Sequence, residues 1–108
     1  MPEPDEREVD VDEARKMTAS GACRLVWMGR EPLDYVAELI GFDLSRMAQI
    51  DPDGIRTTDA QALKSMAGAV FMCYHGVTSM GAVRFLDGRG VRAYSLKGGI
   101  TSIVGEIF

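Results

Sequence analysis

At 108 residues the chain matches one domain of ordinary size, and 46% apolar residues allow a modest buried core. A formal net charge of −4 argues against a nucleic-acid partner, and one His with two Cys cannot make a four-ligand zinc site without carboxylates. The uncharged stretch 67–83 holds Cys, Tyr, His, Thr, Ser and Gly, too polar and broken to span a bilayer.

Residues 1–8 read as a short, flexible acidic tail without an apolar period. They are acidic where a signal peptide would be basic, so a cytoplasmic protein is the expectation, with the folded domain over 9–108. Asp10 followed by Glu13 fits a helix-capping box. Val11, Ala14 and Met17 or Thr18 recur at helical spacing, and Ser20-Gly21 stops that helix. Leu25-Val26-Trp27-Met28 is continuously apolar, as a strand buried on both faces of a parallel sheet would be.

Glu31-Pro32 opens a second helix, with Pro expected in its first turn and an apolar stripe at Leu33, Val36, Ala37 and Ile40. Gly41 ends it. The stretch 42–50 is ambiguous, with room for a short strand. Asp51-Pro52-Asp53-Gly54 is a turn, and Thr57 or Thr58 can cap a helix carrying Ala62, Leu63 and Met66. Ala69 to Met72 is a second apolar run leading into Cys73. Ala82, Val83, Phe85 and Leu86 mark another helix, Val91 to Leu96 a strand, and Gly98-Gly99 a turn into a last helix from about Ile100. The alternation of helices and strands predicts an α/β domain with a mainly parallel sheet and helices on both faces. Ligands of such sheets bind beyond the carboxyl ends of the strands, where Cys73 is expected.

The informative segment is Cys73-Tyr74-His75-Gly76-Val77-Thr78-Ser79, between a buried strand and a helix. Successive backbone N–H groups in such a loop can converge on its centre, and the helix start behind them favours negative charge there. A thiol so placed is held more readily as thiolate. Gly76 suits a tight curl, and Thr78 and Ser79 add hydroxyl donors. The plainer alternative is a buried strand-end cysteine beside an ordinary surface loop.

The run from Val70 to Ala82, with Cys-Tyr-His-Gly at 73–76, resembles the active-site segment of rhodanese domains, above all the short single-domain thiosulfate sulfurtransferases. The likeness continues through Phe85-Leu86, Gly90 and Tyr94-Ser95-Leu96-Lys97-Gly98-Gly99-Ile100, which is similar to the family's closing strand and double-glycine turn. Leu25 to Tyr35 resembles its second strand and arginine-containing helix start. The resemblance implies a five-stranded, mainly parallel rhodanese-like sheet. It also implies that Cys73 takes sulfane sulfur as a persulfide from a small anionic donor such as thiosulfate and passes it to a thiol or to cyanide. Tyr74, His75, Gly76, Val77, Thr78 and Ser79 would form the cradle, with no cofactor and no metal.

The chain departs from the family pattern where Met28 replaces an Asp, where Thr78 stands for a frequent Arg, at Leu39-Ile40-Gly41, and at Ile103 in place of an aromatic. Those losses leave a non-catalytic rhodanese-fold binding module as the alternative. A phosphatase or arsenate reductase of the related Cys-loop type would need an Arg in the loop, and none occurs between Cys73 and Arg84. His75, with no adjacent carboxylate to orient it, reads as a polar loop residue rather than a general base. Arg30 reads as an ion-pair partner of Glu31 or Asp34, with a supporting substrate role as the second option. Trp27 and the methionines read as core. Cys23 reads as an inert core thiol, too far along the sheet for a disulfide with Cys73.

Overall fold

The computed structural model describes residues 7–21 and 23–105; the expected acidic tail lies outside them as far as residue 6. The strands are β1 (Glu8–Val9), β2 (Leu25–Trp27), β3 (Met47–Gln49), β4 (Val70–Met72) and β5 (Tyr94–Leu96). They form one sheet in the order β1-β5-β4-β2-β3, and every pairing is parallel. The strands expected at the two apolar runs and at Val91 to Leu96 are adjacent in it. Val70 sits opposite Leu25 on one side and Tyr94 on the other. β2 and β4 are buried at every position, as strands covered on both faces must be.

Alternation along the strands divides the core in two. Leu25, Trp27, Val70, Met72 and Leu96 face one side, under α1 (Val11–Ala19), α2 (Leu33–Ile40) and α5 (Thr101–Val104). Val26, Met28, Phe71, Cys73 and Ala93 face the other, under α3 (Ala60–Lys64) and α4 (Val77–Asp87). Asp10 caps α1 by accepting the Glu13 N–H at 2.8 Å, and Gly41 closes α2 in the left-handed conformation at φ 73°. Val36, Ala37 and Ile40 of the α2 stripe are buried.

The structure differs from the sequence reading in three places and fills in a stretch that the reading left open. β1 has only two residues, too few to show a period, and pairing with β5 creates it: the Ser95 N–H donates to the Arg7 carbonyl and the Lys97 N–H to that of Val9. The ambiguous 42–50 stretch holds a short 3-10 turn over Leu44–Arg46 and then β3, the edge strand beside β2. Pro32 stands one residue before α2 rather than inside its first turn. Asp59, not Thr57 or Thr58, caps α3 by accepting the Ala62 N–H at 2.8 Å. The Thr58 hydroxyl is instead committed backwards, donating to the Gly54 carbonyl at 2.8 Å.

Candidate functional site

β4 ends at Met72, so the parallel sheet delivers Cys73 to its carboxyl edge. The chain then turns through Tyr74-His75-Gly76 into α4. Gly76 takes φ +94°, a conformation that a side chain would strain. This turn folds the loop back over the sulfur. The Gly76 N–H donates to Cys73 Sγ at 3.1 Å and the Ser79 N–H at 3.3 Å. The thiol lies 3.4 Å from Ser79 Oγ, to which it donates. The start of an eleven-residue helix therefore points at a sulfur that is itself buried. Both the N–H groups and the helix end favour negative charge there.

The loop is held from outside by the double-glycine turn. The Ile100 N–H donates to the Cys73 carbonyl at 2.8 Å and the Thr101 N–H to that of Tyr74 at 3.2 Å. With those carbonyls drawn outwards, the loop's later N–H groups are left to face the sulfur. The approach is close because position 99 has no side chain. A Cβ there would lie 2.5 Å from the Cys73 carbonyl oxygen and 2.6 Å from the Tyr74 carbonyl carbon. A Cβ on Gly76 would in turn meet the Gly98 nitrogen at 3.1 Å.

The other expected cradle residues take different places. Tyr74 turns onto the Trp27 side of the sheet, its ring edge-on to Trp27 at 5.2 Å. Its hydroxyl donates to Glu31 Oε1 at 2.6 Å and accepts the Arg30 N–H at 3.1 Å. Burial first, and the bond to Glu31 second, hold the Tyr74 phenol above the usual tyrosine range. His75 and Val77 point into solvent, and Thr78 is exposed at the rim. A cleft of about 460 Å³ opens above the sulfur, walled by Met28, Gly29, Arg30, Tyr74 and Thr78, by Gln49 at the end of β3, and by Asp51, Pro52 and Asp53 after it. Its one guanidinium is Arg30 and its carboxylates are Asp51 and Asp53.

Arg30 makes no ion pair with Glu31 or Asp34. Glu31 is taken by Tyr74, and Asp34 accepts the Tyr35 N–H at 2.9 Å, which leaves the exposed Arg30 side chain on the cleft wall. Met28 is buried in the α4-side core. Trp27 is fully buried, as expected. Cys23 and Cys73 are both free thiols. Cys23 is only half-buried and lines a larger hollow of about 620 Å³ along β3 that includes neither Cys73 nor its loop. Partial burial raises the pKa of the Cys23 thiol.

Two contributions escaped the sequence reading. The turn 51–54 was legible as a turn, yet nothing local showed that it walls the site. Ser95, fully buried on β5, places Oγ 2.7 Å from Ser79 Oγ. Period-two alternation could have put Ser95 on the face of Ala93, but only the sheet order brings that face beneath α4.

Among the described residues no group of three or more His, Cys, Asp and Glu side chains could hold a metal ion, and no helix is long and apolar enough to cross a membrane.

No protein-family model and no curated protein matches the chain in sequence. Solved structures do match in shape. A rhodanese-related protein from Thermoplasma volcanium superposes with a TM-score of 0.66 at 24% identity, over 94% of each chain. A human single-domain sulfurtransferase gives 0.65 at 17% identity over 94% of this chain and 98% of its own. A rhodanese homolog from Thermus thermophilus gives 0.62 at 18% identity over 89% and 99%. At these identities the likeness is one of architecture, carried over nearly the full length of both partners. The fold of this chain is that of the rhodanese-like domains.

Proposed function

We propose that the chain is a sulfurtransferase that carries sulfane sulfur as a persulfide on Cys73. The observation that carries this reading is the sulfur at the floor of the cleft, receiving the Gly76 and Ser79 N–H groups at the start of α4. A thiolate is stabilised by the same donors that would stabilise a terminal persulfide anion. In the first half-reaction the Cys73 thiolate attacks the sulfane sulfur of the donor. A Cys73–sulfur bond forms, the donor's sulfur–sulfur bond breaks, and its electron pair leaves with the departing group, sulfite when the donor is thiosulfate. In the second, a thiolate or cyanide attacks the outer sulfur, and the electron pair of the broken bond returns to Cys73. No net proton and no oxidant is needed.

The cleft above the sulfur admits a small donor, and Arg30 is the cation that would face it. Gly76 and Ser79 hold the sulfur, and Tyr74 ties the loop to the segment carrying Arg30. Thr78 sits at the rim, while His75 in the loop and Val77 at the first position of α4 stay outside. The donor is a small sulfane-sulfur anion, the acceptor a thiol or cyanide, and the setting an aqueous, cytoplasmic one.

A non-catalytic binding module is the second reading, favoured by the two carboxylates on the cleft wall, which oppose an anionic donor. Intact-mass measurement after brief thiosulfate exposure separates the two. Sulfur transfer requires a gain of one sulfur atom that cyanide removes and that Cys73→Ser lacks. A chain that never gains sulfur from thiosulfate or from a small-molecule persulfide is the binding module.

A further inference from the structure

β5 presents Ser95 to the α4 side of the sheet, fully buried between β1 and β4, at a position that packing alone would give to an apolar residue. A buried hydroxyl is unfavourable unless bonded. Ser95 Oγ lies 2.7 Å from Ser79 Oγ, and either atom can be the donor. Ser79 is also fully buried, and its Oγ lies 3.4 Å from Cys73 Sγ. The three groups thus form a line of polar atoms in an otherwise apolar layer, with the reactive sulfur at one end.

We infer that Ser95 is a positioning residue that sets the direction of the Ser79 hydroxyl according to the charge on Cys73. The inference rests on Cys73 being the reactive thiol of the reading above. Each serine has one hydroxyl hydrogen. With the sulfur protonated, the thiol donates to Ser79 and Ser79 donates to Ser95. When the thiol releases its proton to solvent, both hydroxyls rotate: Ser95 donates to Ser79, and Ser79 donates to the anionic sulfur. No covalent bond changes except the S–H that ionises. Without Ser95, the Ser79 hydroxyl has no buried donor behind it when it turns to the sulfur, and its bond to the anion weakens.

The charged and titratable groups about the sulfur are Arg30, Asp51 and Asp53, exposed on the cleft wall, with exposed His75 and half-buried Tyr74 in the loop. They are identical in every variant below and cancel in the comparison.

The test is the pH profile of Cys73 alkylation by iodoacetamide, in a Cys23→Ser background. Ser95→Ala should move the midpoint of the rate profile to higher pH by about half a unit or more, the size expected when a bond to a charged group is weakened. Ser95→Thr, which keeps the hydroxyl, should restore it. In a Ser79→Ala background, Ser95→Ala should move the midpoint no further, because the route to the sulfur is gone. If Ser95→Ala fails to fold, Ser95→Thr and Ser95→Val match each other in volume, and the valine variant alone should show the shift. A folded Ser95→Ala or Ser95→Val with the parent midpoint overturns the inference, as does an equal shift with and without the Ser79 hydroxyl. This readout needs no sulfur donor. Failure of the wild type to acquire sulfur therefore sinks the proposed activity, and an unmoved midpoint sinks the serine relay.

Discussion

Gly99→Ala tests how the fold holds the loop over Cys73. Gly99 has φ +64°, and a Cβ there would lie 2.5 Å from the Cys73 carbonyl oxygen, where anything under 3.0 Å forces a shift. The obstacle is backbone, so it cannot swing aside as a flexible side chain would. The loop must retreat from the turn by about half an ångström, which strains the Ile100 and Thr101 bonds to the Cys73 and Tyr74 carbonyls. A left-handed non-glycine residue costs about 1–2 kcal/mol, and loss of two backbone hydrogen bonds brings the total to about 2–5 kcal/mol. Gly41→Ala is the matched control. Its φ is +73°, with nothing within 4 Å of the added Cβ, so only the conformational cost of about 1–2 kcal/mol applies. Urea unfolding of the two variants gives the difference directly. Sulfur uptake by intact mass should fall about tenfold or more in Gly99→Ala, since displacements of this size at a reacting group are that expensive, and stay unchanged in Gly41→Ala. Equal stability losses in the two variants, or wild-type uptake in a folded Gly99→Ala, would refute the argument.

Cys73→Ser should abolish sulfur uptake without unfolding the chain, because the serine hydroxyl can still accept from the Gly76 and Ser79 N–H groups; retained uptake would place the sulfur elsewhere. Cys23→Ser should leave uptake unchanged, and since burial raises the pKa of the Cys23 thiol, the site remaining in Cys73→Ser should alkylate slowly at neutral pH. Thr78→Arg adds a cation to a rim with two carboxylates; a charge-assisted bond discounted for exposure should lower the KM for thiosulfate about tenfold, with less effect at high salt. Because the folded Tyr74 phenol titrates above its unfolded value of about 10, its contribution to stability is complete below that pH and is lost as pH rises through the folded value. Tyr74→Phe should therefore flatten the alkaline fall in stability measured by urea unfolding, and an unchanged slope would count against the Glu31 bond.

Much of this protein is decided locally and can be read without a structure. The runs Leu25–Met28 and Ala69–Met72 are apolar at every position because both faces of those strands are covered. The stripe at Val36, Ala37 and Ile40 and the cap at Asp10 are interactions within a few residues of chain. The strand–Cys73–glycine–helix order alone puts a thiol at a strand end before a helix start. The rest depends on groups that are distant in sequence. β1 is a strand because β5 lies beside it, and β3 because β2 does; neither has enough residues to show a period. Arg30 lacks its expected partner because Tyr74, 43 residues beyond Glu31, takes that carboxylate. The loop curls over the sulfur because Gly99 lets a separate turn reach its carbonyls, and the 51–54 turn becomes a cleft wall only once β3 pairs with β2. Ser95 meets Ser79 because the sheet order sets β5 beside β4, a choice made by the packing of two apolar layers rather than by either serine.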